Sequence, residues 1–267
     1  MLILWIILCM IVLYILLLLG SSLLVDKGKE YSTDSPYYRW LLNSATCIMM
    51  FLLRIRVRTS GNEKIPKGRF LLVSNHRSNF DPILTWYIFR KQNISFISKE
   101  ENFKIPIFGR IIHRCCFMAI DRKDPRNALV TINKAAELIT EDIVSIGIYP
   151  EGTRSKECVL LPFHAGVFKI AQKAQVPVVV MTIAGTEKIH RNIPFRKTCV
   201  DIDVIEVIPP EALQKTRTAF ISDSVKARME ENLRTKNKEK EVLKWFRILH
   251  CIIHTPTVVK EKNVRID

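Results

Sequence analysis

VSNHRSNFDP, Val73 to Pro82, decides how this chain is read. Phe70 to Ser74 is an apolar run of strand length, and the polar residues after it include Asn75, Ser78 and Asn79, types that permit a tight turn. Asp81-Pro82 then reads as a helix N-cap followed by a first-turn proline, opening a helix from Pro82 to Arg90. Strand, turn and helix in quick succession form the repeating unit of an α/β domain.

The same alternation runs on downstream. Ile94–Ser98, Phe117–Ile120, Ile143–Ile148 and the β-branched run Val176–Ile183 read as buried strands. Val200–Ile208 alternates apolar and acidic residues, as a half-exposed strand does. Pro125–Glu141, capped by Asp124, and Val167–Ala174 have helical spacing. Strands alternating with helices imply an α/β fold whose sheet is mostly parallel and flanked by helices.

The chain has 267 residues and a net charge of +15, from 41 Lys and Arg against 26 Asp and Glu. A basic surface attracts nucleic acid, anionic lipid headgroups and phosphorylated substrates. No helix-turn-helix, zinc-finger or RNA-binding signature is present, so nucleic acid is not expected as a partner. The seven cysteines show no C-x-x-C and no zinc-like spacing, and they read as reduced thiols facing a cytosol. Neither a metal nor a cofactor is expected.

Leu2 to Leu19 carries no charge and, at about 1.5 Å per residue, would cover roughly 27 Å as a helix, near the thickness of a bilayer core. A signal peptide is disfavoured because no basic residue precedes the apolar run, which is also long for one. Positive charge follows instead, at Lys27, Lys29, Arg39, Arg54, Arg56 and Arg58, which places the bulk of the chain on the cytoplasmic face. Trp40–Leu53 is shorter and reads either as an interfacial helix or as a core helix. The expected organisation is a membrane helix over 1–25, a linker and interfacial helix over 26–60, the α/β domain over 61–210, and a charged, amphipathic tail over 211–267. The basic amphipathic stretch of that tail, Val242–Ile253, reads either as docked on the domain or as lying on the membrane.

Two polar clusters stand just after expected strands, where α/β sheets collect functional groups. In the first, His76 and Asp81 would be roughly 16 Å apart in an extended chain and on different faces of a regular helix. They meet only if the segment turns back on itself, and then the carboxylate fixes the imidazole tautomer and leaves the other nitrogen as a base. The alternative is a turn with a helix cap behind it. The second cluster is Tyr149-Pro150-Glu151-Gly152-Thr153-Arg154-Ser155, with hydroxyls, a flexible glycine and a guanidinium suited to phosphate. A weaker third piece, FMAIDR, ends in Arg122. No G-x-S-x-G occurs, and Cys115-Cys116 has no evident base partner in sequence.

NHRSNFD, FMAIDR, YPEGTRS and VPVVVMTI, in that order, resemble the four blocks of the glycerolipid acyltransferase family. KIPIFGR, with Gly109, and FHAGVFKIA also look familial; the family often has an aromatic where Arg110 stands and a lysine where His164 stands. The resemblance covers about Lys64 to Pro209. It implies an enzyme that moves an acyl chain from a thioester on coenzyme A or acyl-carrier protein to the hydroxyl of lysophosphatidic acid. His76 would be the base and Asp81 its orienting carboxylate. Arg122, Glu151, Gly152, Thr153 and Arg154 would hold the acceptor phosphate, and Pro177 would help shape the substrate pocket. Two alternatives stand beside this reading: a sibling acyltransferase using glycerol 3-phosphate or another lysophospholipid, and a non-catalytic membrane-tethered protein that binds anionic lipid or nucleic acid.

Overall fold

A computed structural model describes residues 1–121, 124–155, 157 and 159–254. Helices α1 (Leu2–Leu23) and α2 (Pro36–Leu52) precede the edge strand β1 (Ile55–Ser60). The α/β alternation follows as β2 (Leu71–Ser74), α3 (Asp81–Ile88), β3 (Ile94–Lys99), the short helices α4 (Glu100–Phe103) and α5 (Phe108–Arg114), β4 (Met118–Ile120), α6 (Pro125–Thr140) and β5 (Ser145–Ile148). It closes with α7 (Lys169–Ala174), β6 (Val178–Ala184), α8 (Ile189–Asn192), β7 (Thr198–Ile208), α9 (Pro210–Gln214) and the long α10 (Thr218–His254).

The strands form one seven-stranded sheet in the order β1-β7-β6-β2-β5-β3-β4. All its pairs are parallel except β6 with β7. Side chains on a strand alternate between faces, and the core divides accordingly. Leu71, Val73, Ile146, Ile148, Val178 and Val180 face α6, α7 and α10. Phe70, Leu72, Val179 and Met181 face α2, α3 and α5. Both faces of the sheet are therefore covered, as a mostly parallel sheet requires.

Three findings differ from, or decide between, the readings made from sequence. Ile55–Ser60, expected within a linker, is a strand paired with β7. Its arginines at Arg54, Arg56 and Arg58 alternate with inward Ile55 and Val57, a charged pattern suited to an exposed sheet edge. α2 is a core helix along its inner face, where Tyr38, Leu41, Leu42 and Met50 are buried, while Trp40, Ile48, Phe51 and Leu52 stay exposed. Arg39 is not a surface charge: it is buried, forks onto Asp34 at 2.6 and 2.9 Å, donates to the Ile94 carbonyl and lies over the Trp86 ring.

α1 is long and apolar enough to cross a membrane by length and composition, and its apolar window is exposed throughout. It runs antiparallel along α2, joined by Tyr14–Ser44 at 2.8 Å and Ser21–Tyr37 at 2.6 Å. Its last turn is held by the Tyr38 hydroxyl on the Ser21 carbonyl and by Arg110 on the Ser22 carbonyl. α10 buries Ile221, Val225, Met229 and Leu233, a stripe four residues apart. Beyond it the backbone stays helical to His254, with Val242 and Trp245 exposed. Most side chains of Val242–Ile253 lie outside the described residues.

Candidate active site

The chain leaves β2 through α3 on one face of the sheet and leaves β5 through α7 on the other. β2 and β5 are adjacent and parallel. Two neighbouring strands whose connections depart in opposite directions open a crevice at their carboxyl ends. The loop after β2 carries His76, and the loop after β5 carries Tyr149 to Ser155.

The first loop turns back on itself. Asp81 Oδ2 accepts the backbone N–H groups of Arg77 at 2.6 Å and Ser78 at 2.7 Å, and meets His76 Nδ1 at 2.8 Å. Asp81 is the first residue of α3, with Phe80 at the cap position and no side-chain cap bond. The aspartate thus does not cap its own helix, as the Asp81-Pro82 pair alone would indicate; it serves the turn before it. It is fully buried, and its Oδ1 has no hydrogen-bond partner among the described residues. Asn75 anchors the loop to β6, donating to the Ile183 carbonyl at 2.9 Å and accepting the Ile183 N–H at 2.8 Å.

The second loop clamps His76 by its backbone. Glu151 Oε1 accepts the His76 N–H at 2.6 Å, and the Ser155 N–H donates to the His76 carbonyl at 2.9 Å. Glu151 Oε2 accepts the Leu161 N–H at 2.9 Å. Both oxygens of this buried carboxylate are therefore used to hold backbone, so Glu151 frames the site and is not placed as a ligand for phosphate. Burial pushes its carboxyl above the usual range, opposed by those two N–H donors. Gly152 is buried at φ +67°, a conformation that costs other residues roughly 1–2 kcal/mol. Thr153 and Arg154 are exposed at the mouth of the crevice.

The imidazole is also fixed from below. Its ring stacks on Tyr149 with centroids 4.5 Å apart and planes at 26°. The Tyr149 hydroxyl lies 3.1 Å from Thr85 Oγ1. Burial, reinforced by the charge of Asp81, pushes the phenol well above its usual range, so it stays protonated and is not a rival base. With Nδ1 on Asp81, Nε2 has no bond to any described residue. Burial likewise holds the Cys116 thiol up at about 11, and that of Cys115 higher still, which leaves neither as a thiolate nucleophile.

The site assembled by the structure is wider than the one read from sequence. Asn75 was visible only as a turn former, Ser155 only as a hydroxyl of the second cluster, and Tyr149 only as a neighbour of Glu151. Arg77, buried with its guanidinium 4.0 Å from Glu187, joins the loop after β6 to the first loop. No sequence signal marks that pairing. Arg122 lies outside the described residues; β4, which leads to it, ends at the same sheet edge. Pro177 is at the opposite edge, where its carbonyl accepts the Leu71 N–H at 3.0 Å. It precedes β6, so it lies away from the crevice and does not shape it.

A buried carboxylate holding one nitrogen of a histidine, in a crevice at the carboxyl edge of an α/β sheet, is an arrangement suited to base-assisted group transfer. Residues 56–184 match the family model described as Acyltransferase. A 1-acyl-sn-glycerol-3-phosphate acyltransferase of Saccharomyces cerevisiae is 25% identical over 223 residues, covering 81% of this chain and 71% of that protein. One of Limnanthes douglasii is 30% identical over 179 residues, 67% of this chain and 63% of its own length. The crystal structure of the 1-acyl-sn-glycerophosphate acyltransferase of Thermotoga maritima superposes with a TM-score of 0.60 at 26% identity, covering 82% of this chain and 88% of that one. The chain belongs to the acyltransferase family.

Proposed function

We propose that the chain transfers an acyl group from a thioester to the free hydroxyl of lysophosphatidic acid, giving phosphatidic acid. The observation that carries this reading is the His76–Asp81 pair, with Nδ1 engaged and Nε2 without a partner among the described residues. His76 Nε2 takes the hydroxyl proton as the oxygen attacks the thioester carbonyl. The tetrahedral intermediate collapses with loss of the C–S bond, and the imidazolium returns the proton to the departing thiolate. Asp81 Oδ2, in contact with Nδ1, offsets the imidazolium charge, and the Tyr149 face adds a cation–π contribution to it. No covalent acyl-enzyme is needed, because the base activates the acceptor directly.

The acceptor phosphate goes to the 152–155 turn, with Arg154 supplying a fork of donors and Thr153 a hydroxyl, and to Arg122, which follows β4 in sequence. Glu151 holds that turn against His76, so phosphate and hydroxyl are positioned relative to one another. The thioester comes from coenzyme A or acyl-carrier protein; the excess of basic residues favours either anionic carrier. α1 and the exposed side of α2 hold the catalytic domain at the bilayer, on its cytoplasmic face, where a lipid acceptor presents its headgroup.

The test is to incubate the purified full chain with labelled acyl thioesters on both carriers and a panel of acceptors. These are lysophosphatidic acid, glycerol 3-phosphate and lysolipids with substituted phosphates. Labelled phosphatidic acid as the dominant product supports the assignment. A preference for glycerol 3-phosphate or a substituted lysolipid replaces the acceptor, and no transfer to any of them overturns the catalytic reading.

A further inference from the structure

We infer that the loop between α8 and β7, with Phe195 at its tip, is a second membrane contact that seats the catalytic edge of the sheet on an anionic bilayer. This rests on the proposed bilayer acceptor, and it concerns a segment far in sequence from α1. Phe195 is 85% exposed, and an exposed apolar side chain points to an interaction site when it lies with others in a patch rimmed by polar residues. Its carbonyl accepts from Arg54 Nη1 at 3.0 Å, which places it beside the end of α2. There Phe51 is 82% and Leu52 63% exposed. The three exposed apolar residues therefore stand on adjoining segments at the foot of α2.

Strand register fixes where that patch lies. Ala184, the last residue of β6, pairs with Asp201 of β7, and β7 runs antiparallel to β6. Its start at Thr198 is three residues further on, so it projects roughly 10 Å beyond the β6 carboxyl end. Ile55 pairs with Thr198 and projects with it. That is the edge carrying His76, whose loop is tied to Ile183 through Asn75. The patch therefore overhangs the catalytic edge rather than the opposite one.

Charge identifies the occupant. From Lys188 to Val200 the chain contains Lys188, Arg191, Arg196 and Lys197 and no acidic residue, and Arg54 and Arg56 flank the patch from β1. All six are exposed. Apolar tips ringed by basic residues fit the boundary between acyl chains and anionic headgroups, and the same surface chemistry repels a basic protein face.

Two readouts on the full chain test this. Phe195→Trp should give a difference emission, relative to the parent, that shifts blue on vesicles containing phosphatidylglycerol and is quenched by brominated acyl chains. Phe195→Ser should lower the rate several-fold on lysophosphatidic acid embedded in those vesicles and leave the rate in detergent micelles unchanged. Arg196→Glu with Lys197→Glu should erase the preference for anionic over zwitterionic vesicles. Water-like emission from position 195 on vesicles that have demonstrably bound the protein overturns the inference. So does an equal loss for Phe195→Ser in vesicles and in detergent, which would assign the loop to the site itself. If the parent acylates none of the acceptors, the functional proposal fails, while the emission readout still decides the docking.

Discussion

At the scale of single residues, the proposed function divides the site into a base, the groups that aim it, and a reader of charge. His76→Ala should reduce kcat/KM by more than about a hundredfold with the fold intact by circular dichroism, the usual range for a positioned general base. Asp81→Asn should also lose much of the rate. The amide replaces an acceptor of three donors and cannot offset an imidazolium. Near-normal turnover in His76→Ala would remove the mechanism. Arg154→Lys should raise KM for lysophosphatidic acid about tenfold to a hundredfold, matching about 1.5–3 kcal/mol for a charged hydrogen bond, with the thioester KM little changed; the reverse split would move Arg154 to the donor. Glu151 links stability to pH. Its carboxyl is raised by burial, so the fold gains from the protonated form below the unfolded pKa, near 4.5. That gain is lost as pH rises through the higher folded value. In Glu151→Gln one oxygen must serve two N–H groups, at a cost of about 1–3 kcal/mol, and the pH-dependent increment disappears. The difference in denaturant midpoint between parent and variant should be larger at pH 4 than at pH 7; a constant difference would show that Glu151 titrates alike folded and unfolded.

At the scale of elements, apolar period and turn chemistry made most of the sheet legible, because β2 to β7 are short apolar or alternating runs bounded by turn formers. β1 was hidden because IRVRTS follows directly on the apolar α2, and its arginines read as the end of an interfacial helix. The His76–Asp81 meeting was legible as a possibility from spacing and as an expectation from the ordered blocks. What could not be read was which N–H groups the aspartate takes, because Asp81-Pro82 satisfies the local rule for a cap while the loop folding over it is a tertiary event. Pro177 was misplaced for a related reason: a conserved-looking block spans a whole strand, and only one end of a strand faces the crevice. α1 gives the prediction that belongs here. Deleting Met1–Leu24 should move protein from the membrane toward the soluble fraction and lower Tm, since the bonds at Ser21, Ser22 and Tyr14 are lost. The domain should still fold, because among α1 residues only Leu18 packs against its two cores. Loss of the native near-ultraviolet spectrum would make α1 an integral part of the domain.

For the whole molecule, the proposed anchor, docking loop and crevice share one orientation at the bilayer. The prediction at this scale is that proteolysis or labelling of sealed vesicles will reach the catalytic domain from the cytoplasmic side alone; access from the other side would contradict the distribution of basic residues after α1. The pairing of β1 with β7 has a further consequence, which concerns synthesis. β1 has no other neighbour in the sheet, and Ile55 waits for Thr198. At about 5–20 residues per second, that wait lasts on the order of 7–30 s. Throughout it the ribosome has already released the apolar α1, and the sheet that completes the cover of the α2 inner face is still unfinished. A nascent chain of this kind is aggregation-prone in water; on the proposed membrane role of α1, early contact of that helix with lipid would precede folding, and the bilayer would be the surface on which the enzyme is assembled before it is the surface on which it works.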